Sequence, residues 1–448
     1  MERKDAPGAP SAESIARAGG LNLAGRLTSG AAVFGMAVIT TNVLDTYGRG
    51  VYAILSTWAG IAMTILTGGT AVLAADLIHG REDESLLHGV ACAVGAQAGF
   101  LLLPLAAVIA LFAGGVSPIA VLCAAAVAAL LTYCNFEMSI AQARGDVIRV
   151  SLADIGMAIF PLLLTTVAAF AVADPTVTLV MAAWAIGALL LMCLQLTDAI
   201  RTRGIVLKRS WSVAAGIMRR SVGVSAANGV ALLMARIDVL VVAAVLGTSA
   251  AGVYSIPVAL AASLLLLSRA LLTATYRPIM TAAPAEVGAR LSSALRHSVI
   301  VVLAGGCLSV PIVALLAGPV FGDAYSEIWR PYAVLVPASA FLCVGEMLRH
   351  FLITRLEQQR EILLASAGML IANGILAFAG AALFGLVGAA ASTTIAYAGG
   401  VAALVAVCAR TLSMPVLSLA VPRPSDLIPY LRLVRLMATK LRSALPVP

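Results

Sequence analysis

The sequence predicts an all-α polytopic membrane protein of about twelve transmembrane helices. The chain of 448 residues is 61% hydrophobic and only 11% charged. Its mean hydropathy of +1.02 lies well outside the range of soluble domains. The apolar runs reach about 20 residues, the length that a helix needs to cross a bilayer. Because backbone polar groups must be paired inside hydrocarbon, a spanning chain forms helices or a closed barrel, and runs of this length favour helices.

Polar residues and Gly/Pro breaks divide the chain into twelve candidate spans. They lie at 21–44, 51–78, 89–113, 116–141, 150–173, 176–199, 221–246, 253–276, 298–320, 331–354, 362–384 and 387–410. The third and fourth spans are separated by little more than Gly114 and Gly115. The twelve runs account for most of the chain and leave only short loops between them.

The two ends of the chain differ from the spans. Residues 1–20 combine three basic residues with Gly, Pro, Ser and Ala and carry no apolar region before a cleavage site, so we expect a cytoplasmic tail and no signal peptide. Pro415, Pro422, Pro424 and Pro429 argue against a thirteenth span after Arg410. Between Leu427 and Leu441, apolar residues recur at helical spacing and basic residues occupy other faces, which predicts an amphipathic helix on the inner leaflet.

Basic residues predict the orientation, since short loops rich in Lys and Arg stay on the cytoplasmic side. With the N-terminus inside, all but five of the 29 lysines and arginines fall in the tails or inner loops. Arg49 and Arg330 fall in outer loops, and the other three fall within spans. We therefore expect a multi-pass protein of the inner (cytoplasmic) membrane with both termini in the cytoplasm. This topology and contact with anionic membrane lipids account for the net charge of +8, so no nucleic acid partner is expected.

A short internal sequence repeat predicts two related halves. Gly50-Val51-Tyr52-Ala53-Ile54 opens the second span, and Gly252-Val253-Tyr254-Ser255-Ile256 opens the eighth, 202 residues later. Six spans per half make this a parallel repeat with its axis along the membrane normal. The predicted organisation is a tail at 1–20, a six-helix bundle at 21–199, a cytoplasmic linker at 200–220, a second six-helix bundle at 221–410 and a basic amphipathic tail at 411–448.

The sequence carries no motif for covalent catalysis, so we expect no enzyme and no catalytic residue. GxSxG, HExxH, a P-loop and an acidic pair for a sugar transferase are all missing. The four histidines and seven scattered cysteines offer little material for a metal site, and no cofactor is expected. Since there is no ATP site, uphill work needs an ion gradient, the membrane potential or consumption of the product.

Ionisable residues inside spans are the candidates for function, because a charge at the centre of a membrane helix costs about 2.5–3.5 kcal/mol on insertion scales. Arg236 and Asp238 lie deepest, in the seventh span, and point about 200° apart on a helix, so each needs a partner on another span. Two buried interhelical salt bridges explain this pair equally well. Together with Arg26 and Arg269, Arg236 is predicted to line a water-filled cavity that binds phosphate oxygens.

Four acidic residues, Asp238, Glu137, Asp154 and Glu346, are candidate coupling or pairing groups. They could orient the arginines, bind a coupling cation such as Na⁺ or H⁺, or form structural pairs. The residue pattern leaves these three roles open.

Three stretches resemble the polysaccharide-export branch of the multidrug/oligosaccharidyl-lipid/polysaccharide (MOP) exporter superfamily. The first runs from Gly20 to Leu44 and continues with Tyr47-Gly48-Arg49-Gly50-Val51-Tyr52. The second is Arg236-Ile237-Asp238 with Leu246-Gly247 and Ala251-Gly252-Val253-Tyr254. The third comprises Phe321-Gly322-Asp323-Ala324-Tyr325 and Phe384-Gly385-Leu386-Val387-Gly388-Ala389-Ala390.

The resemblance implies a MATE-like, V-shaped flippase of two six-helix bundles. Its substrate would be a polyprenyl-pyrophosphate-linked oligosaccharide, and its partners would include the glycosyltransferases and polymerase of a cell-surface polysaccharide. A cation-coupled multidrug exporter of the same superfamily is a second reading, although the first half has no carboxylate at mid-membrane. A membrane-embedded glycosyltransferase or polymerase is a third, and the short outer loops argue against it. The peptidoglycan-precursor flippase resembles this chain less, because it has two more spans.

Overall fold

The computed structural model describes residues 12–67, 84–112, 115–144, 146–203, 210–265, 275, 279, 282–356, 359–428 and 430. Within these ranges the chain forms helices and no strand, which confirms the all-α class. The helices are α1 (Ala12–Val43), α2 (Thr46–Thr67), α3 (Glu84–Phe112), α4 (Pro118–Ala143), α5 (Val147–Ala171), α6 (Val177–Arg203), α7 (Ser210–Met234), α8 (Ile237–Leu246), α9 (Thr248–Ser263), α10 (Pro284–Phe321), α11 (Trp329–Leu356), α12 (Gln359–Thr411) and α13 (Val416–Ala420).

Eight of the described helices are long and apolar enough to cross a membrane, and the bent pair formed by α7 and α8 raises the number to nine. Two shorter apolar helices, Leu27–Val43 within α1 and Thr248–Ser263, coincide with the first and eighth predicted spans. Each predicted span therefore contains a helix over its described part. The ends of the second and eighth spans, in 68–78 and 266–274, lie outside the described residues.

Helix α12 contains two passes. Gly385 interrupts it with φ 61° and ψ −144°, a left-handed conformation that favours glycine. Beyond this turn the chain runs back along itself, since the Ser392 hydroxyl donates to the Leu376 carbonyl at 2.7 Å and the Thr393 hydroxyl donates to Asn373 Oδ1 at 3.2 Å. These contacts make an antiparallel pair, as predicted for spans 362–384 and 387–410.

The seventh span is broken, whereas the sequence predicted one continuous helix. Helix α7 ends at Met234, α8 begins at Ile237, and their axes differ by 45°. The new helix begins at a local side-chain contact, in which Asp238 Oδ1 accepts the Val239 amide proton at 2.9 Å. Acceptors in a first turn satisfy amide groups that lack a helical partner. The break thus falls at a position without Gly or Pro, and an acidic side chain lies in the first turn of the new helix.

The chain divides into two compact units, 1–256 with 318–326, and 257–317 with 327–448. In the first unit, α7 packs against α2 and α3. Part of the predicted 200–220 linker thus belongs to a packed helix, and 204–209 lies outside the described residues. The division into bundles at 21–199 and 221–410 stays a prediction.

The duplicated motifs meet at two glycines in the first unit. A Cβ atom on Gly50 would overlap the Thr248 carbonyl, and one on Gly252 would overlap the Thr46 carbonyl. Thr46 and Thr248 are themselves 202 residues apart, the offset of the two motifs. Helices α2 and α9 therefore cross through a reciprocal contact, and only glycine allows the backbones to approach so closely.

In the second unit the chain after α12 returns to the start of α10. Arg296 Nε donates to Asp426 Oδ2 at 2.8 Å, and its Nη1 donates to the Ser418 carbonyl at 2.8 Å. The Tyr430 hydroxyl lies 3.1 Å from His297 Nδ1. A short 3₁₀ turn, Pro424–Leu427, presents Asp426. The amphipathic helix predicted beyond this point, at 431–441, lies outside the described residues.

Candidate functional site

Arg236 occupies the break of the seventh span. Its backbone is non-helical, with φ −135° and ψ −3°, and its side chain is partly buried. Within the described ranges no carboxylate forms an ion pair with it. The break places this residue between two helix segments, where its guanidinium can bind a partner from outside the helix.

Asp238 is 2% exposed and already engaged. The Tyr254 hydroxyl donates to its Oδ2 at 3.0 Å, and the Val239 amide donates to Oδ1. Tyr254 belongs to α9, so the carboxylate has the partner on another span that the sequence required. Arg236 and Asp238 do not form an ion pair with each other. The contacts of Asp238 are those of a pairing group.

Arg49 is a buried cation that the sequence placed in an outer loop. It lies one turn inside α2, is 5% exposed, and its Cζ sits 5.0 Å from the centre of the Tyr52 ring. Its Nε atom makes no hydrogen bond. The nearby Asp45 is committed to the start of α2, where its Oδ1 accepts the Gly48 amide proton at 2.7 Å. Arg236 and Tyr325 are close enough to Arg49 to act on it electrostatically.

Glu137 and His88 form a buried pair near the ends of α3 and α4 that are predicted to be cytoplasmic. His88 Nδ1 lies 2.8 Å and 2.9 Å from the two carboxylate oxygens of Glu137. The side chains are 2% and 10% exposed and lie in an apolar cluster that includes Leu87 and Phe136. The sequence singled out Glu137, whereas His88 was missed because its partner lies 49 residues away in the sequence.

Two of the remaining predicted residues are described, one in each unit. Asp154 is half-buried on α5, and Glu346 is half-buried on α11 in the second unit, where it acts electrostatically on Arg349. The side chain of Arg26, on α1, and the whole of Arg269 lie outside the described residues. Among the described His, Cys, Asp and Glu side chains, no group of three converges as a metal site.

The sequence matches no protein-family model and no curated protein sequence. Its fold matches the inward-facing conformation of a multidrug resistance MATE family transporter of the MOP superfamily, with 14% identity and a TM-score of 0.67 over 86% of this chain and 95% of that chain. The outward-facing conformation of such a transporter matches with 14% identity and a TM-score of 0.58, over 88% of this chain and 95% of that chain. The fold also matches a MOP superfamily transporter from Pyrococcus furiosus, with 12% identity and a TM-score of 0.60 over 90% of this chain and 96% of that chain. For that transporter, reverse polarity of the binding pocket suggests a different function. The chain therefore has a MATE-like transporter fold.

Proposed function

We propose that the chain is a membrane transporter that flips a polyprenyl-(pyro)phosphate-linked oligosaccharide from the inner to the outer leaflet by alternating access. One observation carries this proposal. Arg236 stands at the break of the seventh span with no ion-pair partner in the described part of the chain, while Asp238 beside it is engaged by Tyr254. The Arg236 guanidinium, with that of Arg49 within electrostatic range, is therefore available to an anionic substrate.

The chemistry of guanidinium favours a phosphate ligand. A cation inside the membrane is costly unless it is paired or hydrated. Two phosphate groups supply oxygens that match the guanidinium fork, and binding them offsets the free-energy cost of placing the cation in the membrane. The lipid tail can remain in the bilayer while only the head group crosses. Arg26 and Arg269 are proposed to bind the same head group, on the evidence of their places in the sequence alone.

The MATE-like fold supports a transport function, and the Pyrococcus transporter is described with a pocket of reversed polarity on a similar fold. A flippase of this kind would work beside the glycosyltransferases and polymerase of a surface polysaccharide in the inner membrane. The source of energy would be a coupling cation or the membrane potential, since the sequence has no ATP-binding motif.

A cation-coupled multidrug exporter is the second candidate, favoured by the likeness to multidrug resistance transporters. Such an exporter needs a carboxylate that can exchange a cation. In the described part of the first unit, Asp238 and Glu137 are each bound to another side chain. This arrangement favours the anionic substrate.

Reconstitution tests the proposal. Proteoliposomes containing a fluorescent undecaprenyl-pyrophosphate-linked oligosaccharide are treated with an impermeant quencher, and the rate of head-group translocation is measured. We expect transport by the wild type and a decrease of about tenfold or more for Arg236→Ala, because a lost charge-assisted hydrogen bond is worth about 1.5–3 kcal/mol. Arg290→Ala is the matched control, since Arg290 is exposed and paired with Glu286. Wild-type vesicles that export a cationic dye and leave the lipid unmoved would contradict the proposal.

A further inference from the structure

Arg49 carries a charge that no ion pair neutralises among the described residues of the first unit. Its guanidinium is buried, its Nε makes no hydrogen bond, and within the described ranges no carboxylate forms an ion pair with it. The ring of Tyr52 is its nearest favourable contact. A cation–π contact offsets only part of the cost of removing a cation from water. The residue therefore lowers the stability of this conformation.

The internal repeat shows that packing at this position does not require arginine. The equivalent residue, 202 positions later, is Ala251, which is fully buried beside the crossing of α2 and α9. An alanine therefore serves as the structural residue at one of two equivalent places. The guanidinium at the other place needs an explanation other than packing.

Tyr325 adds a second polar group without a partner. It lies in the 3₁₀ turn Asp323–Tyr325, is 3% exposed, and its hydroxyl makes no hydrogen bond. Burial raises the pKa of Tyr325 above its ordinary value, so the hydroxyl keeps its proton and can donate. Arg236 adds a second positive charge within electrostatic range of Arg49. The cluster thus combines two positive charges with a hydroxyl donor, and the Asp45 carboxylate, which acts on Tyr325 electrostatically, already accepts the Gly48 amide proton.

We infer that Arg49 and Tyr325 form an anion-binding site for a phosphate or pyrophosphate group, close to the predicted outer ends of the spans. This inference rests on the proposed function for the identity of the natural ligand, the head group that leaves Arg236 on its way to the outer leaflet. The guanidinium presents a fork of N–H donors to two phosphate oxygens, and the phenol donates to a third. The two side chains lie within electrostatic range of each other in this structure.

Binding is tested on the purified full chain in nanodiscs of zwitterionic lipid, with inorganic pyrophosphate as the probe and ³¹P NMR as the readout. We expect the dissociation constant to rise about tenfold or more in Arg49→Gln and by a smaller factor in Tyr325→Phe. Arg49→Lys should recover part of the affinity, because lysine keeps the charge and loses the fork. Arg290→Ala should bind as the wild type does. Equal affinity in Arg49→Gln and wild type, or no binding to wild type, overturns the site.

Stability in the absence of anion separates a ligand-binding role from a structural one. Arg49→Met removes the unneutralised charge and keeps much of the volume, so its melting temperature without pyrophosphate should equal or exceed that of the wild type. A clear fall would show that Arg49 supports the fold and would contradict the inference.

Two further experiments identify the source of the anion and separate a failure of this site from a failure of the proposed function. Nanodiscs that contain phosphatidylglycerol show whether a lipid head group competes for the site. If it does, the wild type should bind pyrophosphate more weakly there than in zwitterionic nanodiscs, and Arg49→Gln should show no such difference. Flipping that persists while pyrophosphate binding is independent of Arg49 refutes this site and leaves the proposed function intact. Arg49-dependent binding by a protein that does not flip the lipid substrate refutes the proposed function and supports the site.

Discussion

At the scale of single residues, the partner of each charge separates the candidates for function from the structural groups. Asp238 is held by Tyr254 and by a backbone amide, and Glu137 is held by His88. Arg49 and Arg236 have no ion pair in the part of the chain that the structure describes. A buried carboxylate with two donors is already satisfied, whereas a guanidinium without an acceptor is free to bind one. The cations are therefore the better candidates for contact with substrate.

The bond between Tyr254 and Asp238 should contribute mainly to stability. Tyr254→Phe removes one donor from a buried carboxylate, and we expect a loss of about 1–3 kcal/mol in the free energy of unfolding. The loss is measured as a lower melting temperature of the purified protein in detergent. Asp238→Asn keeps an acceptor for the Val239 amide, and its NH2 group can donate to the Tyr254 hydroxyl oxygen, so its melting temperature should fall less. If Asp238→Asn abolished transport while Tyr254→Phe left it unchanged, Asp238 would be a coupling acid.

At the scale of helices, the reciprocal contact of Gly50 with Gly252 determines how closely α2 and α9 approach. Both glycines lie near the first turns of their helices, where an added Cβ would meet a carbonyl of the opposite chain segment. Backbone atoms cannot give way as the end of a flexible side chain can. The crossing should therefore be sensitive to the smallest possible side chain.

Alanine at position 252 tests this contact. Gly252→Ala should lower the free energy of unfolding by about 1–3 kcal/mol, because the added methyl group forces two backbones apart. The matched control is Gly399→Ala, at an exposed helical glycine with nothing within 4 Å of a new Cβ. The control should be neutral or stabilising by about 0.5–1 kcal/mol, since alanine favours helix. Equal melting temperatures for the two variants would show that the crossing tolerates a side chain.

The docking of residues 416–427 on α10 should depend on the charge of Asp426. The amide of Arg423 donates to this carboxylate and lowers its pKa, and the guanidinium of Arg296 adds to the effect. The stabilisation is present above the ordinary carboxyl pKa of about 3.9 and is lost as the pH falls through the lower value of the docked state.

Amide hydrogen exchange of residues 416–427 measures this effect. Asp426→Asn should exchange about threefold to tenfold faster than wild type at neutral pH, a modest factor because the pair is near the surface. The difference between the two proteins isolates Asp426 from the neighbouring His297. It should stay constant from pH 8 to about 5, decline as the pH passes the ordinary carboxyl pKa of about 3.9, and vanish below the lower pKa of the docked state. A difference that vanished near neutral pH would show that another group controls the docking.

At the scale of the whole molecule, the apolar helices were accessible from sequence because apolar length is a local property. The break between 384 and 387 coincides with the turn at Gly385. The break at Arg236 was not accessible, because no Gly or Pro marks it in the sequence. Arg49 was missed because the second span was predicted to begin at 51, whereas α2 begins at Thr46. The alignment of Arg49 with Ala251 in the repeat was the one signal of a buried position.

The predicted orientation can be measured with single cysteines in a chain whose seven native cysteines are replaced by alanine. Asp174→Cys and Ser326→Cys, both exposed and predicted to be outside, should react with an impermeant maleimide in intact cells. Arg201→Cys and Val421→Cys, exposed and predicted to be inside, should react only after permeabilisation. Labelling of position 201 from outside would reverse the topology and move the Arg49 site to the cytoplasmic side.

The crossing of α2 and α9 also bears on the origin of the chain. A contact in which each glycine faces the equivalent threonine carbonyl of the other copy has the self-complementary character of an isologous dimer interface. A half-length ancestor could have formed the same crossing between two identical subunits. Arginine at position 49 would then have occurred twice beside the axis, as two like charges buried close together. Within a single chain the two equivalent places can differ, as Arg49 and Ala251 do here, so one place holds a cation while the other holds a small apolar residue.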